Sequence, residues 1–170
     1  MLFRSLIEVI DNASTPTRGG TLIISGDEAR HIATVARHSV GDEILLSDGR
    51  GMRAKVEIKS ASKDQVVVEV IEVDQITLHP IRLTVVQALT KSDRAHECIE
   101  LLVEAGVDAI TPWQARRSIG KWQDDSTSAR WSEWIKAAVK QSRRSHLPTL
   151  NPVISNLDLI APSSEIGRAH

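Results

Sequence analysis

The stretch IRLTVVQALTKSDRAHECIELLVEAGVDAITPW, residues 81–113, decides the fold of the chain's second half. Leu83 to Leu89 is almost continuously apolar, the composition of a strand buried on both faces. Ala95, Cys98, Ile99, Leu102 and Val103 then recur at helical spacing, and Gly106 supplies the left-handed residue at which helices stop. Val107 to Trp113 reads as a second strand. A helical crossover of this length joins parallel neighbours, so the stretch predicts a right-handed βαβ unit. Such units place their chemistry at the carboxyl ends of the strands. Here those ends carry Thr90, Lys91, Ser92 and Arg94 after the first strand, and Gln114, Arg116 and Arg117 after the second. Two basic loops are therefore expected on one edge.

Immediately downstream, residues 113–148 hold eight Lys or Arg against three Asp or Glu, together with all four tryptophans. The other residues hold 13 basic against 19 acidic side chains, so a net charge of −1 conceals a strongly basic segment. Clustered cations gain affinity for a polyanion by displacing counterions from phosphates, which makes nucleic acid the first candidate and a solvated helix face the bland alternative. Position favours the former. From Arg130 to Arg144, the apolar residues Trp131, Trp134, Ile135, Ala138 and Val139 make one helical stripe that wants a core. The opposite face carries Lys136, Lys140, Arg143 and Arg144, with Arg130 at its margin and Glu133 as its only acid. This helix is expected to pack by tryptophan and present its cations outward.

Upstream, the rhythm is that of a small β-rich domain. Thr21 to Ser25 is a short apolar run, and Ser25 followed by Glu28 predicts a capping box opening a helix through about Arg37. Glu43 to Leu46, Met52 to Ile58 and Gln65 to Val73 are rich in Val and Ile and are separated by the turn signals Asp48-Gly49 and Ser62-Lys63-Asp64. The spacing changes at His79-Pro80, which places a boundary between a domain at residues 1–79 and another from residue 80 onward.

Composition excludes several classes. With 41% hydrophobic and 25% charged residues the chain is an ordinary folded protein. Its apolar runs fall short of a membrane span, and Arg4 and Glu8 interrupt the only candidate leader, so no membrane partner and a cytoplasmic location are expected. The lone Cys98 sits on the apolar side of its helix and reads as a buried, inert thiol. Six scattered histidines show no zinc-ligand spacing, which predicts no metal. No glycine-rich phosphate loop, nucleophile elbow or carboxylate pair stands out, and the catalytic residues stay unknown.

Several of these segments, in order, resemble one family. Val85-Val86-Gln87-Ala88-Leu89-Thr90-Lys91-Ser92, Ile99-Glu100-Leu101 with Glu104-Ala105-Gly106, Pro112-Trp113-Gln114-Ala115-Arg116-Arg117, Arg130-Trp131, and Lys140-Gln141-Ser142-Arg143-Arg144 with Pro148 are similar to the bacterial small-subunit (16S) ribosomal RNA uridine N3-methyltransferases. His31-Ile32-Ala33-Thr34-Val35-Ala36-Arg37, Gly41-Asp42 and Asp48-Gly49 resemble that family's amino-terminal RNA-binding domain. The resemblance implies an α+β fold: a PUA-like β-barrel at 1–79 followed by an α/β SPOUT-type knotted methyltransferase domain, present here only in part at 80–170. It implies S-adenosylmethionine as methyl donor, N3 of one uridine in 16S ribosomal RNA of the small subunit as acceptor, and a homodimer at full length. Positioning an extruded base and removing its N3 proton are the tasks such an enzyme must perform.

The family's Gly-Pro-Glu-Gly-Gly loop and its later Leu-Gly and Leu-Arg motifs do not occur in residues 1–170. Cofactor-binding residues are therefore expected outside this stretch, and residues 1–170 alone are not expected to bind S-adenosylmethionine. Two functions stay open, a methyltransferase and a ribosomal RNA-binding module without catalysis. In both, the expected RNA contacts are Arg30, His31 and Arg37, then Lys91, Arg94, Arg116 and Arg117, and finally Lys140, Arg143 and Arg144.

Overall fold

The computed structural model describes residues 7–9 and 16–156. The chain divides into two units, one drawing on the chain up to Ile81 and on Lys136–Leu147, the other on Arg82–Ile135 and the chain from Pro148.

In the first unit, β1 (Ile7–Val9), β2 (Thr21–Ser25), β3 (Glu43–Ser47), β4 (Met52–Ala61) and β5 (Gln65–Gln75) form one sheet ordered β1-β3-β4-β5-β2. All neighbours are antiparallel except β1 and β3. Strand alternation builds the core. Ala54, Val56 and Ile58 of β4 and Val66, Val68 and Val70 of β5 are buried, with Ile44 and Leu46 of β3 beside them. Lys55, Glu57 and Glu69 intervene with the half-buried Leu45 and Val67, and Lys55 pairs with Glu43 at 2.6 Å. Glu57 and Glu69 stand directly opposite each other, a repulsive arrangement that Lys59 relieves by reaching both, at 2.8 and 3.0 Å. Those two hydrogen bonds raise the Lys59 pKa above its ordinary value. A register shift between Ile58 and Ser60 leaves Lys59 as the extra residue of a bulge.

The capping box expected at Ser25 does not form. Ser25 is held in β2, opposite Gln65, so the chain turns one residue later, at Gly26, whose φ of 73° needs glycine. From there α1 (Asp27–Arg30) passes into a π-helical turn, His31–Val35, which ends before the expected Arg37. Arg37 itself has a φ of 55°. Ala29 and Ile32 bury against the sheet's core residues.

Lys136–Leu147 completes this unit. Its helical part belongs to α3 (Asp124–Ser142), in which Trp131, Ile135, Ala138 and Val139 of the expected stripe are buried, whereas Trp134 is only half-buried. Two expectations about the other face are corrected. Lys140 does not point freely outward, because its Nζ lies 2.5 Å from Glu28 Oε1, and both side chains are largely covered. Arg143 and Arg144 lie past the helix, since Arg143 adopts a φ of 56° and stops it. The chain then pairs with the β3–β4 turn: Gly51 N donates to Ser145 O and Leu147 N donates to Gly49 O, both at 2.8 Å. Gly51, with φ 107°, leaves no room for a Cβ, which would come within 2.5 Å of His146 Nε2 and of the Ile76 carbonyl.

In the second unit, β6 (Thr84–Ala88), α2 (Ser92–Glu104) and β7 (Ala109–Trp113) form the parallel βαβ unit, and β8 (Thr149–Leu150) adds to the far side of β7, also parallel. Ile99 and Val103 of α2 and Ile110 of β7 are fully buried. Burial of β6 on both faces is not found: Leu83 is exposed and Val85 and Val86 are only half-buried, because β6 is an edge strand of a three-stranded sheet. Asp108 fastens the strand starts by accepting from Leu83 N at 2.8 Å and pairing with Arg82 at 3.3 Å.

Cys98 is half-buried, and its thiol donates to Gln87 Oε1 at 3.0 Å. Burial, then the nearby Glu97, raises its pKa above the ordinary 9.0, which favours the unreactive thiol over the thiolate.

Two outcomes follow from this packing. Gly51→Ala is expected to destabilise the chain by about 2–3 kcal/mol, from a left-handed backbone plus overlap with His146 and Ile76. Urea unfolding followed by circular dichroism measures it, and an unchanged midpoint would refute the crowding. Alkylation of Cys98 by iodoacetamide is expected to accelerate at higher pH in the native chain than in the urea-unfolded chain, since only the thiolate reacts; coincident pH profiles would show that the fold does not shift it.

Candidate nucleic-acid interface

Parallel pairing brings the carboxyl ends of β6 and β7 to one edge, with Leu89 N donating to Trp113 O at 2.9 Å. The residues that follow each strand therefore leave side by side. After β7, Gln114 acts as a brace: its Nε2 donates to Gly120 O, and its Oε1 accepts from Trp122 N, both at 3.0 Å. This folds residues 114–122 back over the end of β6. Gly120 fits tightly there, because a Cβ would run into the Thr90 carbonyl oxygen. Gln123 N donates to Thr127 Oγ1 at 3.1 Å and Ser126 Oγ to Gln123 O at 3.0 Å, which opens α3.

Between these segments lies a cavity of about 250 Å³. The β6–α2 turn contributes Thr90, Lys91 and Ser92, and the folded loop contributes Ile119, Gly120 and Lys121. Its remaining wall is α3, through Thr127, Arg130, Trp131 and Trp134. The tryptophans are held by neighbours. Trp131 meets Trp122 edge to face, with centroids 5.4 Å apart, while Trp134 stacks on His96 at 4.9 Å. Arg130 places its guanidinium carbon 5.9 Å from the Trp134 centroid. Three cations from three segments thus converge on one concave surface, and among the described residues no carboxylate lines it.

The ten residues expected to touch RNA divide between the units. Lys91 lines the cavity, whereas Arg94, Arg116 and Arg117 are exposed around it in the same unit without lining it. In the other unit Arg30 and Arg37 are exposed, and His31 is half-buried in the π-helical turn. Arg30 pairs with Asp27 at 3.3 Å. Lys140 is engaged by Glu28, Arg143 is exposed and Arg144 half-buried. Lys121, Trp134 and Thr127 were not legible as a site, since loop 114–122 brings the first of them to the other two by a fold-back that hydrophobic spacing does not encode. The tight Gly120 is the one local signal that this loop approaches another backbone.

Residues 77–168 match the family model described as RNA methyltransferase domain, and residues 24–71 match the model described as RNA methyltransferase PUA domain. The chain belongs to the RNA methyltransferase family. It is similar to the ribosomal RNA small subunit methyltransferase E of Mycobacterium bovis, 36% identical over 150 residues, covering 85% of this chain and 56% of that protein. The Bacillus subtilis protein of the same name is 35% identical over 144 residues, covering 82% and 56%. The chain therefore spans just over half the length of these curated relatives. Among solved structures, the Neisseria gonorrhoeae ribosomal RNA small subunit methyltransferase E, bound to S-adenosyl methionine, superposes with a TM-score of 0.78 at 27% identity, over 89% of this chain and 62% of that one. The expected architecture, a PUA-like domain followed by a SPOUT-type methyltransferase domain, agrees with these matches.

Gly120→Ala tests the fold-back directly. Because the obstacle is backbone, the substitution is expected to cost about 2 kcal/mol and to shift Trp122 fluorescence to the red as the Gln114 brace opens. An unaltered spectrum and midpoint would mean that the loop does not press on Thr90.

Proposed function

We propose that this chain is part of an S-adenosylmethionine-dependent enzyme that methylates N3 of a uridine in 16S ribosomal RNA. The observation that carries the reading is the family match across residues 77–168, joined to relatives at 35–36% identity that bear the name of a small-subunit ribosomal RNA methyltransferase. The PUA-type match at residues 24–71 supports RNA as the ligand of the β-rich unit. Cations exposed in each unit, Arg30 and Arg37 in one and Arg116 and Arg117 in the other, suit the phosphates of a structured RNA.

The cofactor does not fit the cavity that the described residues form. S-adenosylmethionine carries a sulfonium and an ammonium against a single carboxylate, a net positive charge, and Lys91, Lys121 and Arg130 line that space with no acid among the described lining residues to balance it. We place its site among other residues of the family fold. What the described residues supply is the hold on RNA, by charge and by aromatic surface.

RNA affinity measured by anisotropy against salt tests the shared reading. Both Arg30→Gln/Arg37→Gln and Arg116→Gln/Arg117→Gln are expected to weaken binding to a small-subunit RNA fragment, each flattening the log–log salt dependence by about one unit for every phosphate left without its cation. If either pair leaves affinity and slope unchanged, RNA does not cross that unit. Catalysis is tested separately by primer extension on methylation-deficient small subunits incubated with the full-length protein and S-adenosylmethionine. Methylation at N3 blocks base pairing and stops the reverse transcriptase. RNA binding without such a stop would favour a non-catalytic ribosomal RNA-binding module.

A further inference from the structure

We infer that the cavity at the carboxyl end of β6 seats one nucleotide of a single-stranded RNA segment, its phosphate against Lys91, Lys121 and Arg130 and its base against Ile119 and the Arg130–Trp134 pair. The inference rests on the RNA reading above and specifies which site takes which part of the ligand.

Charge is the first observation. Several cations elsewhere meet carboxylates, Lys55, Lys59, Arg53, Arg82 and Lys140 among them, while Arg37, Arg116 and Arg117 stand exposed outside this cavity. Among the described residues Lys91, Lys121 and Arg130 make no such pair, yet the fold collects them around one hollow. Lys91, Lys121 and Arg130 are all exposed, so their mutual repulsion is screened, but a bound anion turns that repulsion into attraction. Helix α2 adds to the attraction, because its amino end opens at Lys91 and Ser92 with no side chain capping it.

Shape and apolar surface choose a nucleotide over a bare anion. A volume of about 250 Å³ lies just under the usual range for small-ligand sites, roughly 300–1,000 Å³, and suits one nucleotide unit better than a longer ligand. Ile119 is 74% exposed at its rim, an apolar side chain for which an inorganic ion has no use. The guanidinium of Arg130 is poised near the Trp134 ring, which His96 holds in place, and a guanidinium plane stacks well on an unpaired base. A duplex hides its base faces, so the cavity selects a single strand or an extruded residue.

The test uses the 170-residue chain, the indole N–H resonances of its four tryptophans, and two probes, a six-residue oligouridylate and inorganic phosphate. The oligonucleotide is expected to shift the Trp134 signal, identified by its disappearance in Trp134→Phe. Lys91→Gln/Lys121→Gln is expected to weaken oligonucleotide affinity roughly ten-fold and to flatten the salt slope by about two units. Ile119→Glu, a change at an exposed position, is expected to weaken binding without loss of fold, as checked by circular dichroism. Binding with the Trp134 signal unmoved and affinity unchanged in these variants would overturn the inference while leaving the RNA reading intact. A full shift by inorganic phosphate at equal phosphate concentration would also overturn it, by showing an anion site that ignores the base. Absence of any binding to the oligonucleotide or to a small-subunit RNA fragment would sink both readings together.

Discussion

Parallel pairing of β6 with β7 is the constraint on which the candidate interface depends. The register runs from Thr84 against Ala109 to Ala88 against Trp113, so the two strands end level. Parallel strands require a long crossover, and α2 supplies it, with Ile99 and Val103 buried. Both chains then leave the sheet at the same edge. Turning the second strand around would send Gln114 to the opposite end, far from Thr90 and Lys91. Gln114 exploits the shared edge by bonding Gly120 and Trp122, and the absence of a side chain at Gly120 lets the loop lie directly on the Thr90 carbonyl.

Charge is distributed according to whether a partner is within reach. On the outer face of the five-stranded sheet, Lys55, Lys59, Glu43, Glu57 and Glu69 alternate with the buried Val and Ile and pair with one another across strands. Such exposed pairs add little to stability, but these five groups leave a net negative charge on that face, which does not attract a polyanion. Lys140 joins the paired set through Glu28, even though its helical position alone suggested a free cation. The second unit behaves differently around its cavity. Lys91, Lys121 and Arg130 share that concave surface, and no carboxylate stands among its described lining residues.

Much was legible from the sequence. Runs rich in Val and Ile, set off by the turn signals Asp48-Gly49 and Ser62-Lys63-Asp64, gave β3, β4 and β5, because β-branched residues favour extended backbone whatever the rest of the chain does. Helical spacing gave α2 and its stop at Gly106, which has a φ of 90°. The run of RNA-methyltransferase motifs gave the family, and its basic segment pointed to nucleic acid. These are local properties, written in patterns a few residues long.

What only the tertiary structure decided involves partners distant in sequence. Ser25 is a good capping residue by type, but its place opposite Gln65 in the ladder took its backbone away from that task and gave the turn to Gly26. Strand β8 is two residues long, with no periodicity to detect, and it exists because β7 offers a free edge to Thr149 and Leu150. Leu83 to Leu89 is apolar enough for full burial, but burial depends on neighbours, and β6 has only one in its sheet. Lys140 and Glu28 are 112 residues apart, and Lys91, Lys121 and Arg130 come from three separate segments. The sequence placed a basic, tryptophan-rich segment at residues 113–148; the folded backbone determined which cations meet internal carboxylates and which gather around a common space.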